Sequence, residues 1–97
     1  MPAFKVTRKA QADLIAIGRF TLKEWGTLQR NNYLLQLDHC FSQLSENPEI
    51  GSACDFIAEG YRKFPQGSHL IFYKRGPKGI VEIIRVLHES MDVDSKF

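Results

Sequence analysis

Three polar side chains lie within or at the end of otherwise apolar, strand-like segments: Arg62, Arg85 and His88. Arginine can stabilise the charge of a phosphodiester transition state, and histidine can protonate a 5′ leaving oxygen. These three residues would then be candidates for the site of a ribonuclease. A regular strand places Arg85 and His88 on opposite faces, so a shared site would need a bulge near Leu87.

This ribonuclease hypothesis lacks a clear general base for a ribose 2′-hydroxyl. Glu59 and Glu82 are the carboxylates on the predicted strands, and each is better explained as a surface residue paired across the sheet. Ribonuclease chemistry is therefore one hypothesis among several.

The histidines and cysteines do not have the spacing of a metal site. His39 and Cys40 are adjacent and would point about 100° apart on a helix, while Cys54, His69 and His88 occur singly. We therefore predict no metal site and no cofactor. Two cysteines are also too few for a disulfide scaffold, so both are expected to be reduced.

The net charge of the chain is only +2, but basic residues are concentrated in its second half. Six of them lie in the span from Arg62 to Arg85, where Glu82 is the only acid. Such a patch is typical either of sheet edges, where lysine discourages aggregation, or of a surface for an acidic partner. We expect no direct sequence-specific binding to nucleic acid.

Two helices are predicted in the first half of the chain. The first begins at Thr7 as N-cap and ends at Gly26, and apolar or small residues recur along one face of it: Ala10, Leu14, Ile17, Thr21 and Trp25. Thr27 is a plausible cap for the second helix, which closes before Asn47-Pro48. So short a connection predicts an antiparallel helical hairpin.

Alternating polarity predicts strands elsewhere. A short strand covers Phe4 to Thr7, residues 48–55 read as a loop, and three strands follow at Ala58 to Phe64, His69 to Lys74 and Ile80 to His88. We predict one α+β domain over residues 1–97, of order β-α-α-β-β-β. Its N-terminal strand and helical hairpin pack on an antiparallel sheet.

Membrane insertion and secretion are not expected from this sequence. The longest apolar stretches, such as Leu70 to Tyr73, have four residues, whereas a bilayer-spanning helix needs about 20. The N-terminus carries no recognisable secretory signal. We therefore expect a cytoplasmic protein with no membrane partner.

Several motifs, in their order and spacing, resemble the ParE branch of the RelE/ParE toxin superfamily. They are Ala12-Asp13-Leu14 with Ile17, Trp25-Gly26, Asn47-Pro48 with Gly51, Tyr61 to Phe64, His69 to Tyr73, Ile84 to His88, and Met91-Asp92. The resemblance spans nearly the whole chain. It implies the same β-α-α-β-β-β fold and a toxin that poisons DNA gyrase, blocks replication and is neutralised by a small antitoxin encoded beside it.

The resemblance implies that the chain acts by binding rather than by catalysis. The candidate gyrase-binding residues are Arg62, Lys63, Arg85, His88, Met91 and Asp92. The antitoxin is expected to fold on binding, laying an amphipathic helix on the helical hairpin and adding a strand to an open sheet edge. Candidate anchors for it are Phe20, Leu22, Leu28 and Leu34.

Two alternatives stay open at this point. RelE-type members of the superfamily cleave mRNA in the ribosome, and Arg62 and His88 would be the catalytic residues of such an enzyme. The low net charge disfavours this alternative, because phosphate contacts supply most of the affinity of a nuclease for RNA. The other alternative is a non-toxic module that only binds an antitoxin.

Overall fold

The computed structural model describes residues 4–97, so Met1, Pro2 and Ala3 of the predicted domain lie outside the described residues. Its helices and strands, in chain order, are β1 (Phe4–Val6), α1 (Arg8–Trp25), α2 (Thr27–Glu46), β2 (Ser52–Ala53), β3 (Arg62–Gln66), β4 (His69–Arg75) and β5 (Val81–His88). Neither α1 nor α2 is long and apolar enough to cross a bilayer.

The helical hairpin forms where the local signals predict it. The Thr7 hydroxyl accepts a hydrogen bond from the Ala10 amide at 3.1 Å, which caps α1, and donates to the Ile84 carbonyl at 2.9 Å. Gly26 ends α1 at φ 89°, a conformation that favours glycine. The prediction that Thr27 caps α2 is wrong, because Gly26 takes the capping position and Thr27 is the first helical residue.

The sheet has five strands in the order β1-β5-β4-β3-β2. Strands β2 to β5 pair antiparallel, as the short connections predict, whereas β1 runs parallel to β5 because both helices intervene. The predicted α+β fold is confirmed: two helices pack on a sheet, which is mixed rather than purely antiparallel.

The strand boundaries differ most from the prediction at β3, which also ends at Gln66 rather than Phe64, while the ends of β1, β4 and β5 differ by at most one residue. Strand β3 begins at Arg62 rather than Ala58, because residues 55–60 form turns in which the Asp55 carboxylate accepts the Gly60 amide at 2.9 Å. The Cys54 amide then donates to the Tyr61 carbonyl at 2.8 Å. The predicted loop also contains the short edge strand β2.

Both faces of the sheet bury apolar side chains. The helices cover one face, where the sheet contributes Ile71, Tyr73, Val81, Ile83 and Val86 to the main core. On the opposite face, Phe72 and Leu87 pack with Cys54. The C-terminal segment reaches that second face, since the Phe97 ring lies 5.1 Å from the Phe72 ring between centroids.

Candidate functional site

Arg62 is bound to the backbone of the loop that follows α2. Its Nη2 donates to the Gly51 carbonyl at 2.6 Å and to the Glu49 carbonyl at 3.2 Å. The Tyr73 hydroxyl holds the same loop, accepting the Gly51 amide at 2.9 Å and donating to the Pro48 carbonyl at 2.6 Å. Burial raises the pKa of Tyr73, so this hydroxyl stays protonated. Arg62 therefore positions a loop in this structure.

Arg85 is paired with a carboxylate on α1. Its Nε and Nη2 each donate to the Asp13 carboxylate at 2.8 Å, and Nη1 donates to the Lys96 carbonyl at 2.9 Å. Asp13 also accepts the Val86 amide at 3.0 Å, beyond the end of the β1–β5 pairing. The hydrogen bonds that Arg85 donates to Asp13 raise the pKa of Arg85, so the guanidinium stays charged. This pair ties α1 to β5.

His88 lies beside a second histidine at the end of the sheet. His69 is its cross-strand partner, and the two ring centroids are 5.4 Å apart. The His69 Nδ1 lies 2.6 Å from the Tyr33 hydroxyl, and the His88 Nδ1 lies 2.7 Å from the Ser90 hydroxyl. Burial, and then the proximity of His88, lower the pKa of His69, which favours its neutral form at pH 7.

The two histidines line a cavity of about 360 Å³ between α1 and the end of β5. Apolar side chains form most of its wall, and Phe20 and Met91 lie at its surface with 62% and 44% of their area exposed. The complete lining is Asp13, Ala16, Ile17, Phe20, His69, Val86, His88, Ser90 and Met91. The cavity therefore combines an apolar wall with imidazole groups.

The structure does not bring Arg62 and His88 together. They pair with Tyr73 and His69, at opposite ends of β4, and a four-residue step along a strand spans about 13 Å. They also lie on strands on either side of β4. The pair proposed for the ribonuclease hypothesis is therefore not assembled as one site.

Strand β5 contains a bulge, but not near Leu87. Phe72 pairs with Arg85 and Tyr73 pairs with Ile83, so Ile84 is the extra residue. The strand is regular from Arg85 onward, and Arg85 and His88 point to opposite faces. The bulge near Leu87 that a shared site of Arg85 and His88 would need is therefore not present in this strand.

The remaining gyrase-binding candidates are Lys63, which is half-buried, and the exposed residues Met91 and Asp92. The Lys63 ammonium lies 5.9 Å from the centre of the Phe56 ring, on the face opposite the helices. Met91 and Asp92 are exposed after the end of β5. Lys63 thus lies on β3, whereas Met91 and Asp92 lie in the segment after β5.

The four candidate antitoxin anchors do not share one surface. Leu22 and Leu34 line a groove of about 510 Å³ between α1 and α2, together with Leu14, Ile15, Gly18, Arg19, Arg30, Asn31, Asp38 and Phe41. Phe20 instead faces the histidine cavity. Leu28 is 75% exposed and lines neither the groove nor the histidine cavity.

Sequence reasoning gave no specific role to three residues at these sites: Asp13, Tyr33 and His69. Asp13 carried a usable signal, because a carboxylate three residues after Ala10 and four before Ile17 falls on the buried face of α1. The roles of Tyr33 and His69 depend on contacts between distant segments, which spacing alone does not reveal.

Comparison with known proteins agrees with this geometry. A sequence model of the family described as ParE toxin of type II toxin-antitoxin system, parDE, matches residues 4–93. The chain is 46% identical over 85 residues to Toxin ParE1 of Mycobacterium tuberculosis, covering 88% of this chain and 87% of that protein. It is 37% identical over 92 residues to Toxin ParE1 of Caulobacter vibrioides, covering 95% and 94% of the two chains.

Among solved structures, the chain resembles one from the chromosomal ParDE TA system of P. aeruginosa. The TM-score is 0.74 at 20% identity, covering 91% of this chain and 96% of the other, which shows a shared fold. The sequence matches extend over nearly all of the chain, and the predicted resemblance is confirmed. This chain belongs to the ParE toxin family of type II toxin–antitoxin systems.

Proposed function

We propose that this toxin acts by binding DNA gyrase and blocking replication, without covalent catalysis by its own side chains. The observation that carries the proposal is membership of the ParE family, whose members typically poison gyrase. A binder that prefers the DNA-cleaved state of gyrase needs only a difference in affinity between two states. No nucleophile or proton-transfer pair is required for that effect.

The geometry of the described residues supports binding over ribonuclease chemistry. Arg62 donates to two backbone carbonyls, and Arg85 is held by Asp13 in a bidentate pair. An arginine engaged in this way would have to give up its partners before it could stabilise a phosphate. The net charge of +2 also provides little attraction for RNA.

For the gyrase contact we favour the C-terminal segment after β5, centred on Met91 and Asp92. Both side chains are exposed, and Met91 lines the same cavity as the exposed ring of Phe20. Exposed methionine and aromatic side chains provide an adaptable apolar contact surface. Arg62 and Arg85, in contrast, already have partners inside the molecule.

The test is inhibition of supercoiling by purified DNA gyrase, with relaxed plasmid and ATP. Met91→Glu should raise the concentration for half-inhibition about tenfold, a loss of about 1.4 kcal/mol in binding. Ile50→Glu is the matched control, because Ile50 is 42% exposed and Met91 is 44% exposed. Equal inhibition by both variants would show that the C-terminal segment is not the surface that binds gyrase.

We also propose that the antitoxin lies in the groove between α1 and α2. Leu22 and Leu34 provide apolar contacts there, and Arg19 and Arg30 are the basic residues of its lining. An amphipathic helix with apolar anchors and flanking carboxylates matches this chemistry. The groove thus fits the helix expected of an antitoxin that folds on binding.

The antitoxin site can be tested with the small protein encoded beside the toxin gene. Leu22→Glu should weaken its binding about tenfold or more, because a carboxylate would be buried against apolar groups. Leu28→Glu is the control, since Leu28 is exposed and outside the groove. If Leu28→Glu weakens binding and Leu22→Glu does not, the helix lies elsewhere.

Expression without antitoxin separates the toxic from the non-toxic alternative. The proposal predicts growth arrest with filamentation and induction of the DNA-damage response. Normal growth with folded protein present would instead support a module that only binds its antitoxin.

A further inference from the structure

The chain leaves β5 through a tight turn over residues 88–91. The His88 carbonyl accepts the Met91 amide at 3.0 Å, and the Glu89 amide donates to the Ser68 carbonyl at 2.9 Å. The first bond closes a four-residue turn, and the second ties that turn to the connection between β3 and β4. The C-terminal segment therefore starts from a fixed point of the fold.

The side chain of His88 holds the same turn. The Ser90 amide donates to the His88 Nδ1 at 3.1 Å, and the Ser90 hydroxyl lies 2.7 Å from that nitrogen. An amide donates only to a nitrogen with a free lone pair, so the proton of the neutral ring is on Nε2. A side chain that accepts the amide two residues further on is the arrangement of an Asx turn, in which an asparagine or aspartate oxygen takes the place of Nδ1.

The imidazole of His88 is itself held by the elements behind it. Its cross-strand partner is His69 on β4, and the two ring centroids are 5.4 Å apart with their planes at 89°. The His69 Nδ1 lies 2.6 Å from the Tyr33 hydroxyl on α2. The His88 ring would lose its edge-to-face contact if it turned away from Ser90. The packing of α2 on the sheet thus helps to orient the ring that closes the turn.

Met91 is the residue that this turn presents at the surface. It follows Ser90 directly, and its side chain lines the same cavity as the His88 ring, with 44% of its area exposed. The far end of the segment is anchored separately, because the Arg85 Nη1 donates to the Lys96 carbonyl at 2.9 Å. Release of the turn would therefore free Met91 and leave that far anchor in place.

We propose that His88 is a positioning residue for the contact with gyrase: its Nδ1 closes the turn that presents Met91, and so raises the affinity of the C-terminal segment. This inference rests on the proposed function. His88 acts through Met91 and neither touches gyrase nor transfers a proton. A segment already held in its bound conformation loses less conformational freedom on binding, which is why the turn affects affinity.

The test variants are His88→Asn and His88→Gln, which carry the same amide group and differ by one methylene. The asparagine Oδ1 can replace Nδ1 as the acceptor of the Ser90 amide, whereas the glutamine Oε1 lies one bond too far along its side chain. Both variants lose the ring contact with His69, so that loss affects them equally. His39→Gln is the control for replacement of a histidine, because His39 is exposed on α2.

Two measurements are made on each full-length variant. Hydrogen exchange of the Ser90 amide, followed by NMR, reports on the turn without gyrase, and inhibition of supercoiling reports on the contact with gyrase. His88→Gln should speed the exchange and raise the concentration for half-inhibition, each about fivefold, as expected for one lost hydrogen bond. His88→Asn and His39→Gln should stay within about twofold of the parent chain in both measurements. Circular dichroism verifies that the variants fold.

Equal results for His88→Asn and His88→Gln in either measurement would overturn the proposal, because the acceptor at the Nδ1 position would then make no difference. Faster exchange in His88→Gln with unchanged gyrase inhibition would also overturn it, because Met91 would not depend on the turn. A parent chain that does not inhibit gyrase would refute the proposed function, and with it this role of His88. In that case the exchange of the Ser90 amide would still show whether His88 closes the turn.

Discussion

The pair between Asp13 and Arg85 should be a major contributor to the stability of this fold. Both side chains are nearly buried, with 14% and 15% of their area exposed. Asp13→Ala would remove the two carboxylate acceptors of the guanidinium and leave the Val86 amide without its partner. Breaking a buried pair in this way costs about 3–5 kcal/mol.

That loss is large for a chain of this size. A domain of about 100 residues has a total stability of about 5–15 kcal/mol, and each kcal/mol corresponds to about 4–8 °C in Tm. Asp13→Ala should therefore lower Tm by at least about 12 °C. The assay is urea and thermal unfolding followed by circular dichroism, from which the free energy of unfolding is compared with that of the parent chain.

An exposed ion pair in the same molecule provides the control. Arg75 and Glu49 approach to 3.2 Å, but 55% and 68% of their side-chain area is exposed. Glu49→Ala should cost less than about 1 kcal/mol, because water screens such pairs. The reasoning would be refuted if Asp13→Ala lost no more stability than Glu49→Ala.

Two further predictions concern the loop and the histidine pair. Tyr73→Phe should lower the free energy of unfolding, measured in urea, by about 1–3 kcal/mol, because it leaves the buried Gly51 amide without an acceptor. A loss of stability no larger than that caused by Tyr61→Phe would contradict this prediction. The pKa of His69 is lowered on folding, so the unfolded chain binds more protons. The free energy of unfolding should therefore be highest above pH about 6.5 as far as His69 is concerned, and should fall as the pH drops below that value. His69→Asn should flatten this pH dependence. An unchanged profile in that variant would assign the pH dependence to other groups.

The helical hairpin was predictable because its signals are local. The Thr7 cap, the Gly26 stop and the apolar spacing all act within a few residues of the backbone they control. The start of β3 was not predictable, because the alternating residues before Arg62 also suit a turn. The hydrogen bond from the Gly60 amide to the Asp55 carboxylate stabilises that turn.

The polar residues chosen from the sequence were informative, but their partners were not predictable. Arg62 and Arg85 stood out as arginines in apolar strands, and the structure gives each a fixed set of acceptors. Asp13 lies 72 residues from Arg85 in the chain, so only the packing of α1 against β5 brings them together. Residue type thus indicated that these arginines need partners, while the fold determines which partners they have.

The most direct test of the proposed function combines two assays on the same purified chain. In the first, DNA gyrase acts on plasmid with ATP; in the second, an in vitro translation reaction receives the same amount of toxin. We expect linear, protein-linked DNA and intact translation. Cut mRNA with blocked translation and unaffected gyrase would contradict the account, and Arg62 and His88 would then be the first residues to mutate.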